Sequence, residues 1–277
     1  MGQMQVREVS VTMPREFPWE FSVPRASYRD SASEMDRPLS GWRGWLDDRP
    51  QLPYLLPFMA FVLVMAPPTF LGKTGGVDWK GLWQTYQPLL YLLKTLLAAL
   101  FLFLCWHHYT PIRWTRLTLG AAVGIAGTVI WILVVYGSQM AGISSKPHPA
   151  DFYNPDLMLH ETWQRWGYLV IRVAGPSLVV PLMEELFFRD FLMRALIRGA
   201  RFQDVAVGTF TWFSFIGVSL LFGLNHGAQW PAGIAYGLLM GFLLIRTKSL
   251  GACIVAHGVT NFTLYLYVIY AGDWQFM

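Results

Sequence analysis

Several apolar runs in this chain approach or exceed the roughly 18 residues that carry a helix across a bilayer. That alone removes most soluble folds from consideration. Of the 277 residues, 54% are hydrophobic and only 14% are charged, and the mean hydropathy is positive. No regularly alternating strand pattern suggests a barrel. The expected fold is therefore all-α, a polytopic transmembrane bundle of about seven to eight helices. A formal charge of +4 is small and comes from arginines at span boundaries, so no nucleic-acid surface is expected. Cys105 and Cys253 both lie in apolar runs and read as small buried hydrophobes, since two cysteines make neither a disulfide framework nor a CxxC site.

Residues 1–52 form a polar segment with seven arginines and eight acids, expected to be cytoplasmic and, before about residue 38, a solvated tail. No apolar core of a signal peptide follows Met1. Trp42 and Trp45, beside Arg43 and Asp47, suit an interfacial anchor leading into the membrane domain, residues 53–277. The expected spans run about Tyr54–Leu71, Pro88–Trp106, Leu117–Tyr136 and Trp166–Ile197, then a fifth ending near His226, a sixth to Ile245 and a seventh over Ala252–Tyr270. Pro57, Pro67 and Pro68 should bend or end the first. Pro176 and Pro181 should break or kink the long fourth run, and Pro181 in a helical first turn would place Glu184 near a fresh helix N-terminus. Gly120 and Gly124, and the ladder Gly233, Gly237, Gly241, offer faces for close helix packing. Lys94, inside the second span, fits either a snorkelling cation or a buried pair, and His107 and His108 fit an interface.

Loop charges set the expected orientation. Arg113 and Arg116, then Arg194, Arg198 and Arg201, then Arg246 and Lys248, fall on one side together with the N-terminal segment. This predicts a multi-pass protein of the cell (inner) membrane with its N-terminus in the cytoplasm.

Ionisable residues inside such runs are costly and point to function. Glu184 and Glu185 are adjacent, so a helix sends them in different directions. Glu185 and Arg189 share a face at i, i+4, which leaves Glu184 free. His226 ends the fifth span, and His257 and Asn261 share a face of the seventh. A Glu–Arg pair alone reads as a helix staple, and a lone histidine as a core hydrogen-bonding group. Together these residues supply a base, oxyanion donors and candidate metal ligands. Gly233 to Arg246 spans only about 20 Å of helix, so the turn at 227–231 is expected to sink into the protein and bring His226 toward Glu184.

These residues resemble the CPBP family, also called the Abi or CAAX-protease family. Its pattern E-E-x-x-x-R, F-x-x-x-H and H-x-x-x-N is met by Glu184, Glu185 and Arg189, by Phe222 and His226, and by His257 and Asn261. The resemblance covers about residues 165–270. It implies an intramembrane endopeptidase in which Glu184 activates water, His226 assists, His257 and Asn261 stabilise the oxyanion, and Glu185, Arg189 and Phe222 support the site. No cofactor is favoured. A zinc-dependent version would use Glu184, His226 and His257. The implied partner is a protein or peptide at the membrane, lipidated or, by likeness to the branch that accompanies exosortase systems, carrying a sorting signal. Two other classes stay open. A non-proteolytic scaffold or bacteriocin immunity protein would bind a peptide at the same residues. A transporter would use them as a proton relay, although no inverted repeat is visible.

Overall fold

In the computed structural model, described over residues 42–64, 73–74, 77–148 and 152–276, the apolar runs fold as helices. These are α1 (Trp42–Asp47), α2 (Leu52–Leu63), α3 (Trp79–Leu104), α4 (Leu117–Met140), the short α5 (Pro155–Met158), α6 (Thr162–Ala174), α7 (Val180–Glu184), α8 (Met193–Arg198), α9 (Trp212–Leu224), α10 (Trp230–Thr247) and α11 (Leu250–Ala271). Lys73–Thr74 and Val77–Asp78 form a two-residue antiparallel pairing before α3. Five stretches are long and apolar enough to span a membrane, whereas α2 and α9 are shorter apolar helices. The chain is a helical, multi-pass membrane protein. The expected tail before residue 38, together with Pro67 and Pro68, lies outside the described residues.

Two expectations about the spans are corrected. The second span lies close to where it is expected, at Thr85–Leu104, within a helix that starts nine residues before Pro88 because Asp78 caps it by accepting from the Gly81 N–H at 3.1 Å. Pro88 and Pro57 both lie inside helices. The fourth run does not break at its prolines. Helical geometry continues from Thr162 to Asp204, through two π-helical segments, Gly175–Val179 and Glu185–Leu192. Glu184 therefore sits in mid-helix and not at a helix N-terminus. Finally, Arg194 is no loop cation. It is 3% exposed and pairs with Asp190 inside the bundle.

The π register explains how the prolines are tolerated. The Val180 N–H bonds the Gly175 carbonyl, five residues back. In that register residue 181 would bond Pro176 O, but proline has no N–H to give. The side chain of Asn261 supplies the missing donor, its Nδ2 lying 2.7 Å from Pro176 O. Gly258, one turn earlier on α11, makes the approach possible, since a Cβ there would lie 2.7 Å from Ser177 O.

Small residues bring the other helices close. On α4, a Cβ at Gly120 or Gly124 would meet the carbonyl oxygen of Ala252 or Ala256 at 2.5 Å. Thr260 Oγ1 donates back to Gly124 O at 2.8 Å. The glycine ladder of α10 faces α9 in the same way, with Gly237 against Ser219 and Gly241 against Phe215. Without a hydrophobic drive between helices in lipid, such close packing is a main source of association. An aromatic layer of Phe58, Phe187 and Phe188 joins α2 to the long fourth helix, the first two rings stacked at 4.1 Å. At one end, α1 is tied in by buried Leu46 and by His108 Nε2, 3.2 Å from Asp47 Oδ1.

Gly124→Val is expected to cost about 1–3 kcal/mol by overpacking, because the backbone of α11 blocks the new side chain. Gly137→Ala, with open space around it, should be near neutral. Thermal unfolding of both variants in detergent measures the difference.

Candidate active site

The long fourth helix carries its polar residues through the middle of the bundle. Met183 to Asp190 are buried without interruption, including Glu184, Glu185, Arg189 and Asp190. Arg189 Nε lies 3.3 Å from Glu185 Oε2, both side chains fully buried. The other oxygen of Glu185 takes a second partner, His257 Nδ1, at 2.8 Å. Since the carboxylate can only accept, His257 donates from Nδ1. Its Nε2 is then turned to Glu184, 3.9 Å from Oε2. A chain Arg189–Glu185–His257–Glu184 thus runs between the fourth helix and α11.

Phe222 links this chain to His226. Its ring is fully buried, with the Arg189 guanidinium 4.4 Å from the ring centre, and its carbonyl oxygen lies 2.7 Å from His226 Nδ1. His226 therefore also donates from Nδ1, which in the neutral ring leaves Nε2 as an acceptor. The Trp131 ring stands edge-on at 5.0 Å. The turn after His226 is tied inward: Gln229 accepts from Trp131 Nε1 at 2.7 Å and donates to Gln275 O at 2.7 Å.

One cavity of about 300 Å³ collects the residues singled out in the sequence: Glu184, His226, His257 and Asn261 all line it. Glu185, Arg189 and Phe222 stand behind that lining. Among the described residues, no three His, Cys, Asp or Glu side chains are grouped so as to hold one metal ion. The set Glu184, His226 and His257 does not fit zinc as placed.

Residues 166–263 match the family model described as type II CAAX prenyl endopeptidase, Rce1-like. The match takes in all three motifs and leaves Lys94 and the first three helical runs outside it. No curated protein and no solved structure matches the chain.

The matched segment does not line the cavity alone. Lys94 on α3 and Trp131 on α4 contribute, as do Gln275 and Phe276 at the C-terminus. Arg172, within the segment but before its first motif, lines it too. Sequence reading left Lys94 undecided and passed over Arg172, Trp131 and Gln275. The one available signal was a cation within each apolar run. Asp190 was also missed; its Oδ1 lies 2.5 Å from Arg194 NH2, which in turn donates to Thr110 Oγ1 at 2.8 Å.

Arg189→Met should cost about 3–5 kcal/mol, because it leaves the buried Glu185 charge without its cation. Combining it with Glu185→Leu should return most of that loss. Chemical or thermal denaturation of the three proteins in detergent measures both steps.

Proposed function

We propose that the chain is an intramembrane endopeptidase of the Rce1-like kind, hydrolysing a peptide bond with a water activated by Glu184 and without a metal. The observation that carries this reading is the cavity itself. It joins one carboxylate that pairs with no Arg or Lys among the described residues to two imidazoles whose Nδ1 atoms are already committed. The Rce1-like match supports a proteolytic rather than a transport role. That no three-ligand group occurs among the described residues supports the metal-free form over the zinc alternative.

In this mechanism Glu184 takes a proton from water as the water oxygen bonds to the peptide carbonyl carbon. His226 accepts the second water hydrogen at Nε2 and fixes its orientation. The carbonyl oxygen becomes an oxyanion. It is met by Nε2–H of a protonated His257, held by Glu185, and by the second amide hydrogen of Asn261, whose first goes to Pro176 O. Preorganised donors of this kind are each worth roughly 2.7–4 kcal/mol of barrier. Collapse of the intermediate breaks the C–N bond, and Glu184 returns its proton to the leaving amine. The products are a new carboxyl terminus and a free amine. The substrate is a protein or peptide held at the membrane, and we place the N-terminus in the cytoplasm of a cell (inner) membrane protein.

Purified protein and its variants should be compared on a farnesylated C-a-a-X peptide. Glu184→Gln is expected to lower kcat at least about 10³-fold while thermal stability holds. Asn261→Ala should lower it about 10²–10³-fold, the loss of one oxyanion donor. Chelation with phenanthroline should leave the wild-type rate unchanged. Full activity in Glu184→Gln refutes the assignment, and chelator-sensitive activity restored by zinc refutes the metal-free form.

A further inference from the structure

The loops between the helices gather at two ends, and contacts fix which loop belongs to which end. At one end Ser249 Oγ lies 2.8 Å from the carbonyl oxygens of both Arg113 and Thr115. Tyr109 donates to Pro53 O at 2.9 Å, Arg194 to Val205 O at 3.2 Å and Lys248 to Gly208 O at 2.5 Å. These bonds bring together the start of α2, the loop after α3, the loop after α8 and the α10–α11 junction. At the other end Gln229 donates to Gln275 O at 2.7 Å, Gln139 donates to Gln275 Oε1 at 3.1 Å, and Tyr136 donates to Asp273. Here the end of α4, the α9–α10 turn and the segment after α11 meet.

The catalytic cavity belongs to the second end. Asn225, Gln229, Gln275 and Phe276 line it, whereas Thr110, Arg113 and Lys248 line a separate hollow. On α11 the lining begins at His257, about 10 Å of helix in from Leu250, and continues through Asn261 and Tyr265 toward the C-terminal segment. Exposure rises along the same path. Glu184 and His257 are 5% and 4% exposed, Asn261 and Tyr265 are half-buried, and Asn225 is exposed. Toward the first end the bundle is closed: Glu185, Arg189 and Asp190 are fully buried, as are Phe222, Met240 and Cys253. Among the described residues, the way to Glu184 therefore runs from the second end.

Charge tells the two ends apart. The first carries Arg49, Arg113, Arg116, Arg198, Arg201, Arg246 and Lys248 in its loops and adjoining turns, and the second carries Lys73, Lys80, Lys146 and Arg165. The two segments at the cavity mouth, 225–229 and 272–276, contain no Lys or Arg. Short loops rich in Lys and Arg stay on the cytoplasmic side, so the cavity faces away from the cytoplasm. We propose that the substrate is an exported protein: a peptide stretch that has already crossed the bilayer enters between the 225–229 turn and the segment Asp273–Phe276. The inference rests on reading the cavity as hydrolytic and adds the face of the membrane and the class of substrate. A protein that stays in the cytoplasm meets the closed end. The mouth also suits a peptide main chain, since the side chains of Asn225, Gln229 and Gln275 are neutral amides that both donate and accept hydrogen bonds.

The face is read in sealed membranes, because detergent opens both sides. Full-length Asn225→Cys and Gln275→Cys mark the mouth and Arg201→Cys marks the basic end, each expressed in a bacterial inner membrane. The native Cys105 and Cys253 are 1% and 0% exposed, and wild type serves as the blank. A membrane-impermeant maleimide should label both mouth cysteines at least tenfold faster in right-side-out spheroplasts than in inverted vesicles, and Arg201→Cys should show the reverse. Mouth labelling that is faster from the inverted side, equal labelling from both sides, or no labelling of either mouth cysteine in either membrane overturns the proposal. An internally quenched farnesylated peptide ending Cys-Val-Ile-Met, kept impermeant by a highly charged N-terminal tail, is then offered to wild-type membranes, with Glu184→Gln membranes as background. Cleavage by spheroplasts and not by inverted vesicles is expected. Cleavage by inverted vesicles alone overturns the assigned face and keeps the hydrolytic reading. One-sided labelling of the mouth without cleavage, in membranes or in detergent, leaves the face standing and removes the hydrolytic reading.

Discussion

Everything at this site hangs on a buried carboxylate with two partners. Glu185 gives one oxygen to Arg189 and the other to His257. A charge buried in hydrocarbon without a partner is costly, so the pairing is first a condition for folding. It also fixes the chemistry. With Nδ1 occupied, His257 has only Nε2 to present, and that atom faces Glu184. The same logic recurs at His226, where a backbone carbonyl takes Nδ1. Two imidazoles, one in the turn after α9 and one on α11, are thus oriented by partners behind them, and both line the cavity.

The helix that carries both glutamates is shaped for this. Two π-helical segments widen it on either side of Glu184, and such bulges are frequent at functional sites. A carbonyl freed by Pro181 is taken by Asn261, so the same side chain repairs the backbone and lines the cavity. Asn261→Ala would therefore touch helix geometry as well as the oxyanion binding we propose, and its kinetic effect has to be read beside its stability.

Much of this was legible in the sequence, and the parts that were not have a physical reason. Apolar length gave the bundle. The i, i+4 spacing gave the Glu185–Arg189 pair, and the glycine spacings gave close-packing faces on α4 and α10, though not the helices they meet. The prolines misled, because Pro176 and Pro181 break an α register but can be housed in a π register with an outside donor, and that donor, Asn261, lies 85 residues from the Pro176 carbonyl it serves. Arg194 read as a loop charge because its partner Asp190 sits beside the motif and drew no notice. Lys94 and Arg172 could not be joined from sequence, since nothing local tells which face of α3 meets which face of α6.

The most direct test of the account is a double-mutant cycle between Glu185 and His257, read in kcat for peptide hydrolysis. If Glu185 acts by holding His257, then Glu185→Gln and His257→Gln should each lower kcat by about a hundredfold or more, and the double variant should be no slower than the worse single. Losses that multiply in the double variant would mean that the two side chains act independently, and the chain from Arg189 to Glu184 would not be the unit described.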